Sequence, residues 1–351
     1  MNSFIEIADP IHSTAPPLIT HDEALAILNA ETILTESLHR AAEARKEHFS
    51  DKVRIHILDN IKNGRCAEDC GYCAQRSNSQ SGIDEYGLKN ENEILENARQ
   101  AKQAGAYRFC MVTAGTAPSI RAVEDLSRVI ERIQREIGIK VCLSAGLLDA
   151  QKANRLKSAG LDRYNHNLNT ARSHYPEICD SHTYDDRLET LRHLSTAGIA
   201  QCSGVIVGMG ETNSDLVEVA FALKANRVIS IPVNFFIPIP GHTIKNPRML
   251  TPDYCLRALI VFRLINPDSE IRLGAGREGY LRGLQPISLL VANSLFASGY
   301  LNVKGSDIKE TIQMITDMGL IPQTESGVDL AVHENAFLYA QENFPEMYKS
   351  N

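Results

Sequence analysis

The chain has 351 residues, of which 43% are hydrophobic and 23% charged, a composition typical of a globular protein with a sizeable core. Its formal net charge of -7 and its lack of a lysine and arginine run argue against a phosphate backbone as a partner. The N-terminus has no basic region followed by an apolar one, and no apolar stretch reaches membrane-spanning length, so we expect a cytoplasmic protein without nucleic-acid or membrane contacts.

The first predicted element is a helical cap at the N-terminus. Residues 18–49 carry apolar side chains at helical intervals, and Thr20 stands before His21-Asp22-Glu23 as a capping signal. Short segments rich in β-branched residues then alternate with longer amphipathic segments. The candidate strands are 53–58, 107–112, 139–144, 162–168, 200–207, 228–236, 270–273 and 293–297. The candidate helices between them are 93–104, 123–136, 150–158, 184–196, 215–224 and 254–265.

This alternation predicts an α/β fold with a parallel sheet and right-handed crossovers. Eight repeats suit a closed (βα)8 barrel of the TIM type, and an open or partial barrel is the alternative. No low-complexity linker marks a further boundary. We therefore predict an N-terminal helical extension at 1–50, a barrel at 51–320 and a C-terminal helical tail at 321–351.

Three cysteines are concentrated in the loop after the first candidate strand, at Cys66, Cys70 and Cys73. In a reducing compartment, clustered thiols indicate metal binding or catalysis more often than a disulfide. A closed iron–sulfur cubane usually takes four cysteines, so three leave one iron open to bind a small molecule. The spacing predicts a reactive iron–sulfur centre. The alternative is a non-catalytic zinc site that a fourth thiol closes.

Soft and polar side chains recur within the apolar candidate strands. Cys110, Cys142 and Cys202 lie on three different strands and Arg272 on a fourth. Because alternate strand residues point into a barrel, these side chains can converge around its axis. A buried guanidinium keeps its proton and needs an anionic partner, either a cluster with thiolate ligands or a carboxylate such as Glu278.

Without a metal, a single cysteine in an apolar strand is simply a small buried hydrophobic residue. Cys179 and Cys255 fall outside the strand pattern, and we predict that they are structural or surface thiols.

Amides, an aromatic residue and a glycine turn are candidate contacts for a polar ligand. Strand interiors disfavour asparagine unless its amide has a purpose, and amides suit a urea-like ring or a ribose as well as backbone groups. Such asparagines are Asn165, Asn167 and Asn234. Tyr72 can pack on an adenine ring or into the local core. The turn 208–211 lets the backbone approach a flat ligand, or it is an ordinary βα turn.

The spacing Cys66-x-x-x-Cys70-x-x-Cys73 matches the signature of the radical S-adenosylmethionine (SAM) superfamily. Most of residues 20–320 resemble one family within it, the biotin synthases. The stretches that carry the resemblance are 64–70, 108–111, 164–168, 202–211 and 271–278.

The resemblance implies two iron–sulfur clusters. A 4Fe-4S cluster, whose free iron chelates S-adenosyl-L-methionine, would have three ligands: Cys66, Cys70 and Cys73. A 2Fe-2S cluster would have four ligands: Cys110, Cys142, Cys202 and Arg272.

The resemblance also implies the contacts of the substrate and of SAM. The dethiobiotin contacts fall on Asn165, Asn167 and Asn234. The SAM contacts fall on Tyr72, Asn167, Asn169, Gly208 and Glu211. Position 169 departs from the family pattern, which has aspartate there, so a ribose-binding carboxylate becomes an amide. A second departure is at 301–303, where the pattern has adjacent threonines near the substrate's carboxylate end.

The implied activity is the conversion of dethiobiotin to biotin, the last step of biotin biosynthesis, by radical-mediated sulfur insertion. Cleavage of SAM at the 4Fe-4S cluster would give a hydrogen-abstracting radical, and the 2Fe-2S cluster would supply sulfur. A homodimer and an electron donor such as flavodoxin or ferredoxin are further implications. The alternative is another radical enzyme on the same scaffold, such as a metallocluster maturase, which need not keep Arg272 with the strand cysteines.

Overall fold

A closed barrel of parallel strands forms the centre of the computed structural model, which describes residues 10–299, 301 and 305–324. The strands are β1 (Lys52–Lys62), β2 (Arg108–Thr113), β3 (Lys140–Ser144), β4 (Arg163–Asn165), β5 (Ala200–Cys202), β6 (Val205–Val207), β7 (Ser230–Phe235), β8 (Glu270–Leu273), β9 (Ser294–Ala297) and β10 (Ile321–Gln323). The order around the ring is β1-β2-β3-β4-β5-β7-β8-β9, and β9 pairs with β1 to close it. All eight predicted strands and the closed barrel are confirmed, and the open-barrel alternative is wrong.

One predicted strand, 200–207, is divided into β5 and β6, which both pair with β7. The interruption falls at Gly204, where an added Cβ would lie 1.8 Å from the carbonyl oxygen of Pro232. Only glycine permits so close an approach of two backbones. At the other end of the barrel, β10 pairs with the first residues of β1 outside the closed ring.

Helices follow the strands and cover the barrel. They are α1 (His21–Leu28), α2 (Leu34–Phe49), α3 (Glu91–Gln103), α4 (Ile120–Arg132), α5 (Ala150–Ser158), α6 (Tyr184–Thr196), α7 (Asn213–Ala225), α8 (Pro252–Ile265), α9 (Arg277–Leu281), α10 (Gln285–Ser288) and α11 (Ile308–Asp317). The six predicted crossover helices correspond to α3–α8. A serine, threonine, asparagine or aspartate side chain caps the N-terminus of each of these six.

The predicted single helix over 18–49 is wrong, because the structure has two helices, α1 and α2, in that segment. Ala30 follows α1 with a φ of 60°, in the left-handed region, which cannot continue a right-handed helix. The predicted capping signal is confirmed, since the Thr20 side chain accepts from the Glu23 N–H and the Glu23 carboxylate accepts from the Thr20 N–H. Both helices pack against α8.

The predicted C-terminal helical tail lies outside the described residues from position 325 onward, and residues 321–323 form β10. Among the described helices, none combines the length and the apolar character that crossing a bilayer requires.

The core has an apolar shell and a partly polar interior. The shell lies between helices and strands, and a separate small cluster of buried residues lies inside the ring, made of Cys110, Cys142, Cys202 and Phe296 with Leu58 packed against it. Several of the largest fully buried side chains are arginines, among them Arg163 and Arg272. Arginine is almost never fully buried unless it is paired, so the polar interior indicates a functional site.

Candidate active site

A cavity of about 310 Å³ opens at the carboxyl ends of the strands, where loops of parallel barrels usually carry function. The structure brings eleven of the predicted site residues to its wall: Cys66, Cys70, Tyr72, Cys73, Cys110, Cys142, Asn165, Asn167, Asn169, Asn234 and Arg272. Cys202 lies directly behind that wall and is fully buried. Gly208 and Glu211 are not among the described residues that line the cavity.

The strand thiols form one contiguous group, which we call the strand layer: Cys110, Cys142, Cys202 and Arg272. Cys110 and Cys142 are register partners on β2 and β3. The thiols of Cys110 and Cys202 both shift the pKa of Cys142, so the three thiols are neighbours. Arg272 Nη1 lies 3.6 Å from Cys202 Sγ. The predicted convergence of these four side chains is what the structure shows.

Glu270, two residues before Arg272 on β8, organises the charges below the strand layer. Its buried carboxylate accepts from Arg272 Nη2, and Arg163 Nη1 lies 3.1 Å from Oε1 and 3.2 Å from Oε2. Arg54 Nη1 lies 3.1 Å from Oε2, and His56 Nε2 lies 3.2 Å from Oε1. Burial alone would raise the pKa of Glu270, but the charges of Arg163 and Arg272 hold it well below its usual range.

The carboxylate partner named from the sequence, Glu278, is therefore wrong. Glu278 Oε1 lies 3.0 Å from Arg277 Nη2 and is partly exposed, whereas Arg272 pairs with Glu270. Strand geometry offered the missing signal, because residues two apart on a strand point to the same face.

The thiols of the strand layer differ in the direction of their pKa shifts. The interaction with the Cys142 thiol lowers the pKa of Cys110, and the same interaction raises the pKa of Cys142 to about 12. Burial raises the pKa of Cys202. His56, whose Nδ1 lies 3.7 Å from Cys110 Sγ, has its pKa lowered to about 3 by burial and by Arg272.

The loop thiols Cys66, Cys70 and Cys73 follow β1 and are held by backbone hydrogen bonds within their loop and to two distant segments. Within the loop, Cys66 N–H donates to Gln75 O at 2.9 Å. Gly71 N–H donates to Ile178 O at 2.8 Å, and Gly71 O accepts from Thr243 N–H at 3.0 Å. Two distant segments of the chain thus help to position these thiols.

Asp69 also anchors this loop, through hydrogen bonds to residues 180 and 181. Its Oδ1 accepts from the N–H groups of Asp180 and Ser181, both at 3.1 Å, and from Ser181 Oγ at 2.9 Å. Burial opposes these bonds, but together they lower the pKa of Asp69 to about 2. Cys179 Sγ lies 3.2 Å from the same oxygen and 3.7 Å from Cys70 Sγ.

No pattern in the sequence predicted this contact between Cys179 and Cys70. Cys179 is buried, as a structural thiol would be, but it adjoins a predicted ligand 109 residues away. No local pattern encodes such a contact. Cys255, in contrast, is buried within α8 as predicted.

The asparagine amides form some of their hydrogen bonds within the protein. Asn165 Nδ2 donates to Asn167 Oδ1 at 2.9 Å, and Asn167 Oδ1 also accepts from Gly204 N–H at 2.9 Å. No described residue bonds Asn165 Oδ1 or Asn167 Nδ2, so an acceptor and a donor remain at the cavity wall. Asn234 Nδ2 donates to Val205 O, and Asn234 Oδ1 accepts from Ala275 N–H.

Asn169 and Tyr72 form a pair on the same wall, since Asn169 Nδ2 donates to Tyr72 OH at 2.6 Å. Asn169 has a φ of 69°, a conformation that asparagine and aspartate tolerate better than most residues. Leu301 also lines the cavity, whereas positions 302 and 303 of the second sequence departure lie outside the described residues.

The Glu211 carboxylate accepts hydrogen bonds from the backbone of its own loop. Its oxygens accept from the N–H groups of Gly208 and Met209, at 2.6 Å and 2.7 Å. Burial raises the pKa of Glu211. These contacts shape the turn after β6, while the assignment of Gly208 and Glu211 to SAM stays a prediction.

The donor sets fit the two clusters that the sequence suggests. Three thiols in one loop suit a cubane with one open iron, and three thiols with a guanidinium suit a second, buried cluster. Arg272 Nε is buried and has no hydrogen-bond partner among the described residues, although Arg272 lines the cavity. A buried donor in that state needs an anionic acceptor, which a thiolate-ligated cluster supplies.

Comparisons with known proteins agree along the whole chain. Residues 60–223 match the model of the Radical SAM superfamily, and residues 232–321 match that of the Biotin and Thiamin Synthesis associated domain. The chain is 60% identical over 346 residues to a protein named biotin synthase from Leptospira interrogans serogroup Icterohaemorrhagiae serovar copenhageni, covering 98% of this chain and 99% of that one. It is 41% identical over 321 residues to a protein of the same name from Bacillus subtilis, covering 91% and 95%.

Two solved structures share the fold. The [FeFe]-hydrogenase maturase HydG from Carboxydothermus hydrogenoformans superposes with a TM-score of 0.77 at 18% identity, covering 94% of this chain and 84% of that one. Methylornithine synthase PylB superposes with a TM-score of 0.75 at 19% identity, covering 88% and 95%. At these identities, the likeness concerns the fold alone.

Proposed function

The chain belongs to the biotin synthase family of the radical SAM superfamily, and from this we propose that it converts dethiobiotin to biotin by inserting sulfur between two carbons. One observation carries the proposal at the level of residues. The loop thiols and the strand layer lie along the same cavity, so a substrate within it can meet both.

We assign the loop thiols Cys66, Cys70 and Cys73 to a 4Fe-4S cluster and the strand layer to a 2Fe-2S cluster. When bound, the first supplies the electron that cleaves SAM to a hydrogen-abstracting radical, and the second supplies the inserted sulfur.

The chain's own residues bind and orient the ligands. Asn165 Oδ1 and Asn167 Nδ2 offer an acceptor and a donor that match the N–H and C=O groups of the ureido ring of dethiobiotin. Tyr72 and Asn169 lie next to the loop thiols and present a ring face and an amide oxygen to the adenosyl part of SAM. Asn234 bonds the backbone at Val205 O and Ala275 N, which leaves its second amide N–H to donate to the substrate.

Apolar side chains limit the water that reaches the deep end of the cavity. Leu58 and Phe296 pack against the strand layer, and Phe296 also lies 5.1 Å from the Arg272 guanidinium carbon. Exclusion of water protects a reactive species from side reactions.

Mutation of Cys142 to alanine tests whether SAM cleavage and sulfur insertion depend on different clusters. After reconstitution with iron and sulfide, we expect the variant to cleave SAM and to form no biotin. Cys70→Ala should lose both reactions, and Cys255→Ala, which removes a thiol buried in α8, should keep both. Full biotin yield from Cys142→Ala would refute the assignment of the strand layer.

The rival function, a metallocluster maturase, is not favoured, because identity to the biotin synthases extends over nearly the whole chain. The division into an extension at 1–50, a barrel at 51–320 and a tail at 321–351 is part of our proposal. The homodimer and the flavodoxin or ferredoxin donor stay predictions.

A further inference from the structure

Cys179 has no part in the proposed function, yet its sulfur lies 3.7 Å from that of Cys70. The two residues come from different parts of the chain, the loop after β1 and the segment before α6. Their proximity is therefore a product of tertiary structure.

The backbone on both sides of the two cysteines is tied together. Gly71 N–H donates to Ile178 O at 2.8 Å, and Asp180 N–H donates to Asp69 Oδ1 at 3.1 Å. These bonds join the neighbours of Cys70 to the neighbours of Cys179, so the two segments stay in contact. The sulfurs need to approach by less than about 2 Å to reach a disulfide bond length of about 2.05 Å.

Asp69 orients the thiol of Cys179. The Cys179 S–H donates to Asp69 Oδ1 across 3.2 Å. The Cys179 sulfur also lies 3.5 Å from Ser181 Oγ and 3.3 Å from His182 Nδ1. These contacts hold the Cys179 sulfur in place next to Cys70.

The cavity gives a small oxidant access to one member of the pair. Both residues are buried, at 7% and 6% exposed, but Cys70 lines the cavity and Cys179 does not. Of the two, an oxidant in the cavity therefore meets Cys70 before Cys179.

We propose that Cys70 and Cys179 form an oxidative modification site, which closes to a disulfide when a hydroperoxide enters the cavity of the chain without its loop cluster. The Cys70 sulfur attacks hydrogen peroxide and becomes a sulfenic acid, releasing one water. The Cys179 sulfur then attacks the sulfenic sulfur and forms the S–S bond, and the proton of Cys179 leaves with the displaced hydroxide as a second water. Two thiols are oxidised by two electrons, and one peroxide is reduced to two waters.

The disulfide would protect Cys70 from irreversible oxidation. Further oxidation of a sulfenic acid gives sulfinic and sulfonic acids, which are essentially irreversible, whereas a disulfide is restored by thiols. The pairing rests on geometry alone. Its consequence, that Cys70 is withheld from iron until it is reduced, rests on the proposed function.

The hydrogen bonds of His182 argue against a metal site at the same place. Cys70, Cys179 and His182 place their donor atoms within 4.8 Å of one another. However, Arg187 Nη2 lies 2.8 Å from His182 Nε2 and can only donate there, so Nδ1 carries the proton and faces Glu68 Oε2 at 2.5 Å. With both ring nitrogens engaged, His182 has no lone pair to offer a metal.

Disulfide mapping of the full-length, cluster-free chain tests the proposal. The chain is treated with one equivalent of hydrogen peroxide, its free thiols are alkylated, and peptides are analysed by non-reducing mass spectrometry. We expect a Cys70–Cys179 cross-link as the main product, two fewer free thiols out of the eight in the chain, and full recovery with dithiothreitol. A Cys70 cross-link to Cys66 or Cys73 as the main product would overturn the proposal.

A variant adds an independent readout. In Cys179→Ser, we expect irreversibly oxidised Cys70 to increase several-fold, while the matched control Cys255→Ser behaves as the parent chain. Equal irreversible oxidation of Cys70 in all three proteins would also overturn the proposal. Iron uptake before and after dithiothreitol is measured separately, so a chain that forms the cross-link but takes up no iron contradicts the proposed function and leaves the modification site intact.

Discussion

The loop thiols and the strand layer each contain three cysteines, but different forces hold them in place. The strand layer lies on barrel strands, and a buried carboxylate, Glu270, balances the charge of its arginine. The loop thiols lie on irregular backbone, and Asp69 and Gly71 connect their loop to residues more than 100 positions away. The strand layer is thus part of the stability of the barrel, whereas the loop is a local unit that can open while the barrel stays folded.

The strongest test of this contrast is Glu270→Gln. The substitution keeps the size of the side chain but leaves the guanidinium groups of Arg163 and Arg272 without a buried counter-charge. Removal of one partner from a buried ion pair costs about 3–5 kcal/mol. We expect a loss of that order in the free energy of unfolding, measured by urea denaturation of the cluster-free chain.

The control for Glu270→Gln is Glu278→Gln, which removes a carboxylate from a partly exposed pair with Arg277. Such pairs contribute about 0–1 kcal/mol. If the two variants were equally stable, Glu270 would not anchor the interior.

A loop variant, Asp69→Ala, should have the opposite profile. It removes the acceptor for the N–H groups of Asp180 and Ser181, which lie near solvent and can bond water instead. We expect the free energy of unfolding to fall by at most about 1–2 kcal/mol. Retention of iron under a chelator challenge should fall much more, by about 10- to 100-fold, as for loss of an outer-shell partner.

Asp180→Ala is the matched control, because it removes a neighbouring carboxylate and leaves the Asp180 N–H in place. It should retain iron as the parent chain does. The contrast between the two regions would fail if Asp69→Ala kept its iron and lost as much stability as Glu270→Gln.

The same contrast explains which features could be predicted from the sequence. Strand and helix periodicities are local, so all eight barrel strands were predictable, and so was the inward convergence of Cys110, Cys142 and Cys202. The break between α1 and α2 was not, because it depends on one left-handed residue, Ala30, and on packing against α8.

For the loop thiols, the spacing predicted the residues but not their surroundings. The segments that fix the loop, around 178–182 and 241–243, carry no motif that relates them to it, and their position depends on how the whole barrel closes. The proximity of Cys179 to Cys70 belongs to this class. Glu270 was within reach of sequence reasoning, since it lies on the same strand face as Arg272.

Gly71→Ala is expected to weaken iron retention less than Asp69→Ala does. An added Cβ would lie 2.6 Å from Thr243 Oγ1 and 3.3 Å from Ile244 Cδ1, so the loop must shift away from its neighbour. Overpacking costs about 1–3 kcal/mol, and we expect the lower end of that range here because the nearest atom is the end of the Thr243 side chain. Iron retention should therefore weaken, and the free energy of unfolding measured with urea should fall by about 1 kcal/mol.

Gly279→Ala provides the comparison for that variant. Gly279 lies in the helix α9, and an added Cβ would meet nothing within 4 Å. Alanine there should stabilise the chain by about 0.5–1 kcal/mol through the lower entropy of the unfolded state. A destabilised Gly279→Ala with a normal Gly71→Ala would contradict the steric account of the loop.

Removal of iron by a chelator should have the smallest effect on the fold, and its location distinguishes the two regions. Backbone hydrogen exchange should accelerate at least about tenfold, or about 1.4 kcal/mol, at loop amides such as those of Cys66 and Gly71. The amides of β2, β3 and β8 should exchange as before, because barrel hydrogen bonds and the contacts of Glu270 involve protein atoms only. If exchange instead accelerated along β2 and β3, the bound cluster rather than the carboxylate would hold the interior together. In that case the strand layer would resemble the loop thiols, as a group of ligands ordered mainly by the metal that it binds.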